Sequence, residues 1–131
     1  MRHPKILVAE DDPRRAYFFQ VSLESAGFQV LQAADSANAW RIIQAQKLVM
    51  ALIDAKLPGL SDRNVLLRVR ADPSLTKLPV LILGESLCSE EATEWLNLGA
   101  DDYVSRAISP QLLMARVHAK LRRSKPLNQS D

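Results

Sequence analysis

No disulfide can form within this chain, because its 131 residues contain a single cysteine, Cys88. A zinc site built on several thiolates is excluded with it, and so low a cysteine content favours a reducing compartment. Glycine is scarce as well, with four residues in all. None of them forms a glycine-rich phosphate loop after the first apolar run, where Glu10, Asp11 and Asp12 stand instead, so a nucleotide or flavin carrier is set aside. Charge of one sign is not in excess: the net charge of +2 is too small to argue for nucleic acid or a membrane surface. Long apolar runs are missing too. Ile6 to Ala9 is too short for a signal-peptide core or a membrane span, so the chain is expected to be soluble and cytoplasmic.

What is present is enough for one core, with 47% of residues apolar. Ile6–Ala9, Val49–Ile53 and Val80–Leu83 are short and apolar almost throughout, the pattern of parallel strands covered on both faces. Gln29–Ala33 and Asp102–Ser105 are weaker strand candidates. Helices are expected at about Pro13–Ala26, Ala37–Gln46, Asp62–Arg70, Glu90–Leu98 and Pro110–Arg123. Asp12-Pro13 and Ser109-Pro110 each set a capping side chain before a proline at the first helical position, and Gly27 and Gly99 stand where left-handed residues would end helices. In the last helix Leu112, Leu113, Ala115, Val117 and Leu121 are taken as the buried side, leaving Arg116, Lys120 and Arg122 to solvent. Trp40 and Trp95 are expected to be packing residues, and His118 a solvated one. The expected architecture is an α/β doubly wound parallel sheet of five strand–helix pairs over residues 1–123, with 124–131 a polar tail or the start of a linker.

Open parallel sheets bind ligands beyond the carboxyl ends of their strands. Those ends carry Glu10, Asp11 and Asp12 after the first strand, Asp54 after the third, Gly84, Glu85 and Ser86 after the fourth, and Arg106 after the fifth. Several carboxylates held together need a counter-charge, and a divalent cation with oxygen ligands would supply it. Each residue also has a plainer reading. Asp12 suits a helix cap, Glu10 and Asp11 could be ordinary loop acids, and Glu85 and Lys56 could point to solvent. Asp54 is harder to explain away, because it ends five apolar residues and precedes the turn Leu57-Pro58-Gly59. A phosphohydrolase with an aspartyl nucleophile would need a second acid two residues on, where Lys56 stands.

The stretches Ile-Leu-Val-Ala-Glu-Asp-Asp-Pro, Ala-Leu-Ile-Asp-Ala-Lys-Leu-Pro-Gly, Leu-Pro-Val-Leu-Ile-Leu and Leu-Gly-Ala-Asp-Asp-Tyr-Val together resemble the receiver domains of two-component response regulators, from about Lys5 to Arg123. The resemblance implies a flavodoxin-like fold of strand order 2-1-3-4-5 and transfer of a phosphoryl group to Asp54 from a histidine kinase or phosphotransfer protein. It makes the chain a signalling domain rather than an enzyme, with at most self-catalysed phosphotransfer and dephosphorylation. It also implies Mg²⁺ (or Mn²⁺) at Glu10, Asp11, Asp54 and the backbone carbonyl of Lys56. The last third is most similar to receivers that precede DNA-binding domains, so this domain itself is not expected to contact nucleic acid. Asp102 and Arg116 match positions of cross-subunit ion pairs in such receivers. Other pairing positions are lost at Ala92 and Leu112, so a homodimer through helix four, strand five and helix five is expected to be weak.

The chain departs from the family at its switch. Gly84 stands in place of a hydroxyl residue that would bond the phosphoryl group, Glu85 in place of a small residue, Arg106 in place of lysine and Ala107 in place of proline; Asp62 often has glycine as its counterpart. Arg106 keeps the positive charge in a larger, more rigid group. Lys56 could pair with Glu85, Ser86 could stand in for the lost hydroxyl, and Tyr103 matches the aromatic that rotates between exposed and buried positions. A cis peptide bond before Ala107 would cost about 3 kcal/mol, so the loop after strand five is expected to be trans or mobile. With no hydroxyl at Gly84, phosphorylation is expected to shift the conformation little, and Gly84→Thr to strengthen that shift. The alternative is a pseudo-receiver, a protein-interaction module that no longer depends on phosphorylation.

Overall fold

The structure, a computed structural model, describes residues 3–59, 64–85 and 89–124. Five strands alternate with five helices: β1 (Lys5–Ala9), α1 (Pro13–Ser25), β2 (Gln29–Ala33), α2 (Ser36–Ala45), β3 (Met50–Asp54), α3 (Asn64–Ala71), β4 (Val80–Gly84), α4 (Ser89–Asn97), β5 (Asp102–Ser105) and α5 (Pro110–Ser124). All strand pairings are parallel, in the order β2-β1-β3-β4-β5, so the flavodoxin-like topology stands as expected. Among the described residues no helix is long and apolar enough to cross a membrane. The expected helix start at Asp62, and Cys88, lie outside the described residues.

Alternation along the strands divides the core in two. Leu7, Ala9, Ala51, Ile53, Val80 and Ile82 face the side covered by α2, α3 and α4, where Ile43, Val69 and Trp95 are buried. Ile6, Val8, Met50, Leu52, Leu81 and Leu83 face α1 and α5, where Phe19, Leu23, Leu113 and Val117 complete the second layer. This is why β1, β3 and β4 read as continuous apolar runs: both of their faces are covered.

The punctuation of the helices follows the sequence. Asp12 caps α1 by accepting the Arg14 and Arg15 amides, and Ser109 Oγ accepts the Leu112 amide at the start of α5. Gly27 (φ 96°) and Gly99 (φ 115°) take left-handed conformations after α1 and α4. Trp95 is buried, and Trp40 packs against the same core cluster under the guanidinium of Arg68, as packing residues should. His118 is exposed, its ring lying 6.3 Å from that of Phe28.

The expected buried side of α5 needs correction. Leu113 and Val117 are buried, with Met114 and Leu121 partly so, whereas Leu112 and Ala115 are exposed. The 100° step per residue explains it: a stripe centred on positions four apart carries their immediate neighbours round to solvent.

Arg70 ties the amino-terminal end of the sheet together. Its guanidinium donates to the carbonyls of Gly99 (2.9 Å), Thr76 (3.2 Å) and Leu78 (2.8 Å) and to Asp101 Oδ2 (2.8 Å). Asp101 Oδ2 in turn accepts the Val80 amide that opens β4. One side chain thus joins α3 to the loops entering β4 and β5. Arg70→Ala should lower unfolding stability by about 2–3 kcal/mol in urea denaturation, and Arg70→Lys should recover less than half, because one ammonium cannot serve four acceptors in a planar fork.

Candidate functional site

Asp54 is the last residue of β3, and β3 lies between β1 and β4. The Ala55 amide bonds to the Leu83 carbonyl, which carries the pairing past Asp54 and leaves its carboxylate at the carboxyl edge with 1% exposure. A carboxylate so placed needs donors, and two reach the same oxygen. Oδ1 accepts Arg106 Nη2 at 2.5 Å and the Lys56 amide at 3.2 Å. Arg106 follows β5, and its backbone amide donates to the Gly84 carbonyl at the end of β4, so the strand pairing delivers its guanidinium to Asp54. That side chain is 14% exposed. Its Nε is, among the described residues, a buried donor with no acceptor.

The first strand contributes the other acids. Glu10, whose side chain is fully buried, accepts Arg15 Nε on Oε1 at 2.9 Å and the Asp12 amide on Oε2 at 3.2 Å. Burial raises the Glu10 carboxyl from its ordinary value and the nearby Asp54 adds to this, while the bond from Arg15 pulls the other way. Asp12 is held below its ordinary value, chiefly by the Arg14 amide it accepts as a helix cap. Asp11 is exposed. One carboxylate oxygen from each of Glu10, Asp11 and Asp54 lies within 4.8 Å of the other two, an oxygen-only donor set that fits a hard divalent cation completing its shell with water.

At the rim Lys56 Nζ meets Glu85 Oε2 at 2.6 Å, although both side chains stay well exposed. The pairing raises the lysine's affinity for its proton and lowers that of the glutamate, each mainly through their mutual hydrogen bond. Between this pair and the core lies Gly84. A Cβ built on it would come within 1.9 Å of the Tyr103 hydroxyl oxygen and 2.1 Å of its Cζ. Tyr103 is 7% exposed, so its ring turns inward and fills the volume that any side chain at position 84 would take.

The profile of the response regulator receiver domain matches residues 6–118. The chain belongs to that family. It is 36% identical over 123 residues to the phosphate regulon transcriptional regulatory protein PhoB of Rhizobium meliloti, covering 94% of this chain and 54% of that protein. It is 31% identical over 126 residues to the response regulator GtcR of Aneurinibacillus migulanus, covering 96% and 51%. The chain therefore spans about half the length of these relatives. The crystal structure of a putative response regulator from Chloroflexus aurantiacus superposes with a TM-score of 0.88 at 29% identity, covering 93% of this chain and all of that one.

Seen as a receiver, the chain brings Glu10, Asp11, Asp54, Lys56, Gly84, Glu85, Tyr103 and Arg106 to one edge, while Ser86 lies outside the described residues. The peptide bond before Ala107 is trans. Asp102 and Arg116 pair with each other inside the chain, Nη1 lying 3.1 and 2.9 Å from the two carboxylate oxygens, with Lys120 at 4.0 Å. Arg15 escaped the sequence reading, although its place three residues after a capping acid was a visible signal. The inward ring of Tyr103 also changes what substitution at Gly84 can do. A threonine there must first displace the tyrosine, so it cannot simply add a hydroxyl to an otherwise unchanged switch. The same exclusion predicts strong coupling. Gly84→Ala should cost roughly 1–3 kcal/mol by overpacking, yet be close to neutral in a Tyr103→Ala background, as measured by a double-mutant cycle in denaturant.

Proposed function

We propose that this receiver carries a phosphoryl group on Asp54, taken from a histidine kinase or phosphotransfer protein in the cytoplasm. Mg²⁺ or Mn²⁺ would be held by Glu10, Asp11, Asp54 and the Lys56 carbonyl. The observation that carries this reading is the grip of Arg106 on Asp54: one guanidinium nitrogen serves the carboxylate while Nε is buried without an acceptor. An orphaned donor costs about 1–3 kcal/mol, and a phosphoryl oxygen arriving on Asp54 is an acceptor of the right charge to satisfy it.

In the transfer, an Asp54 oxygen attacks phosphorus and the P–N bond of the donor phosphohistidine breaks. The bonding pair stays on the imidazole nitrogen, which takes up a proton, and an acyl phosphate remains on Asp54. Neither Arg106 nor the Lys56 amide sits on Oδ2, so that oxygen is the one their bonds leave to react. A bound cation would supply charge neutralisation for the transferring oxygens, and Glu10 and Asp11 would help to hold it. Arg106 takes the place of the family's lysine with a bulkier group, which slows transfer. A homodimer through α4, β5 and α5 would have to exchange the internal Asp102–Arg116 pair for its intermolecular equivalent. Exposed pairs contribute about 0–1 kcal/mol, so such a dimer is weak.

A pseudo-receiver is the second reading, favoured by one observation: Tyr103 already occupies the space at Gly84, leaving a phosphoryl group little to rearrange. Mass measurement after incubation with a small phosphodonor and Mg²⁺ separates the two. Wild type should gain one phosphoryl group, Asp54→Asn none, and Arg106→Ala should label at least tenfold more slowly. Asp11→Asn should weaken Mg²⁺ binding by calorimetry. Absence of labelling on the wild type gives the pseudo-receiver reading the case.

A further inference from the structure

Three carboxylates and two guanidinium groups meet at the carboxyl edge of the sheet: Glu10, Asp11 and Asp54 against Arg15 and Arg106. Full ionisation of these five groups leaves −1, and Asp12, which shares Arg15, brings the total to −2, so the two arginines offset half of the four negative charges. We infer that Arg15 is a resident counter-ion of the metal site, holding Glu10 in the metal-free protein and competing with the incoming cation. The inference rests on Glu10, Asp11 and Asp54 being that site.

The two arginines are not equivalent. Arg106 is 14% exposed and clamped by its own backbone to β4, and its partner Asp54 is buried. Arg15 is 35% exposed, projects from the first turn of α1, and shares its guanidinium between buried Glu10 and the half-exposed cap Asp12, 3.3 Å from Nη1. It can swing to solvent while keeping Asp12, whereas Glu10 cannot follow. Both Glu10 oxygens have donors, Arg15 on one and the Asp12 amide on the other. The Asp12 amide is fixed by the backbone at the start of α1, so release of Arg15 is what would free further acceptor capacity on Glu10 for a cation or its water shell. Without Arg15 the pocket a cation enters is one unit more negative. The difference favours the cation, tempered by solvent at the rim.

A plain structural salt bridge behaves differently. Its loss would destabilise the protein with or without metal and would leave cation affinity unchanged or poorer. The test is calorimetric titration of wild type, Arg15→Gln and Arg15→Lys with MgCl₂ and, separately, MnCl₂. Arg15→Gln should bind both ions about three- to thirtyfold more tightly than wild type, with Arg15→Lys in between. In thermal melts the rise in Tm at saturating Mg²⁺ should be larger for Arg15→Gln than for wild type, by linkage. If Arg15→Gln is too unstable to titrate without cation, Arg15→Lys carries the comparison: tighter binding than wild type supports the inference, and equal or weaker binding counts against it. Equal or weaker binding in Arg15→Gln overturns the inference and leaves the site standing. Binding to none of the three proteins overturns the site and the inference together.

Discussion

The contact between Arg106 and Asp54 constrains everything around it. A carboxylate at the end of a central strand, almost out of reach of water, is tolerable only with a cation and hydrogen bonds against it. Arg106 arrives because β5 pairs with β4 and its own amide bonds to the Gly84 carbonyl, which points the side chain back across β4 to β3. On the other side β1 ends at Glu10, with Arg15 supplied from the following helix turn. The site is the convergence of three strand ends, each held by backbone pairing, and it could not be assembled from any one of them.

Buried ion pairs of this sort contribute little to net stability, since desolvation offsets most of the attraction, but removing one partner leaves a buried charge unmet. Their effect is to hold geometry. Arginine does so differently from lysine: its fork can serve Asp54 with one nitrogen and leave another buried without an acceptor. The exposed Lys56–Glu85 pair at the rim is of another kind, solvated at both ends, and shapes the entrance more than the fold.

Gly84 and Tyr103 form the second constraint. The ring that family resemblance marks as a mobile switch is here part of the core cluster beneath α4, in contact with Trp95's layer and filling the space of an absent side chain. With glycine at the end of β4, the Tyr103 ring packs into that volume.

Much of this was legible in the sequence for physical reasons. The covered strands had to be apolar on both faces, the caps and left-handed glycines mark helix ends through local hydrogen bonding, and acids following strands one and three must converge once the sheet is parallel. Local chemistry therefore determined the element order, the doubly wound parallel sheet and the convergence of Glu10, Asp11 and Asp54, while the strand order was implied by the family resemblance. The sequence could not say which partner each charged group would choose. Leu112 was assigned to the wrong side of α5 because one residue of rotation separates core from solvent. Asp102 and Arg116, matched to cross-subunit pairing positions, meet each other within the chain. Arg15 looked like any early helical arginine until Glu10 lay beside it. The inward placement of Tyr103 was decided only when β4 and β5 came into register and Gly84 left a volume that close packing had to fill. Those choices depend on distances of a few ångströms between residues far apart in the chain, and only tertiary structure sets such distances.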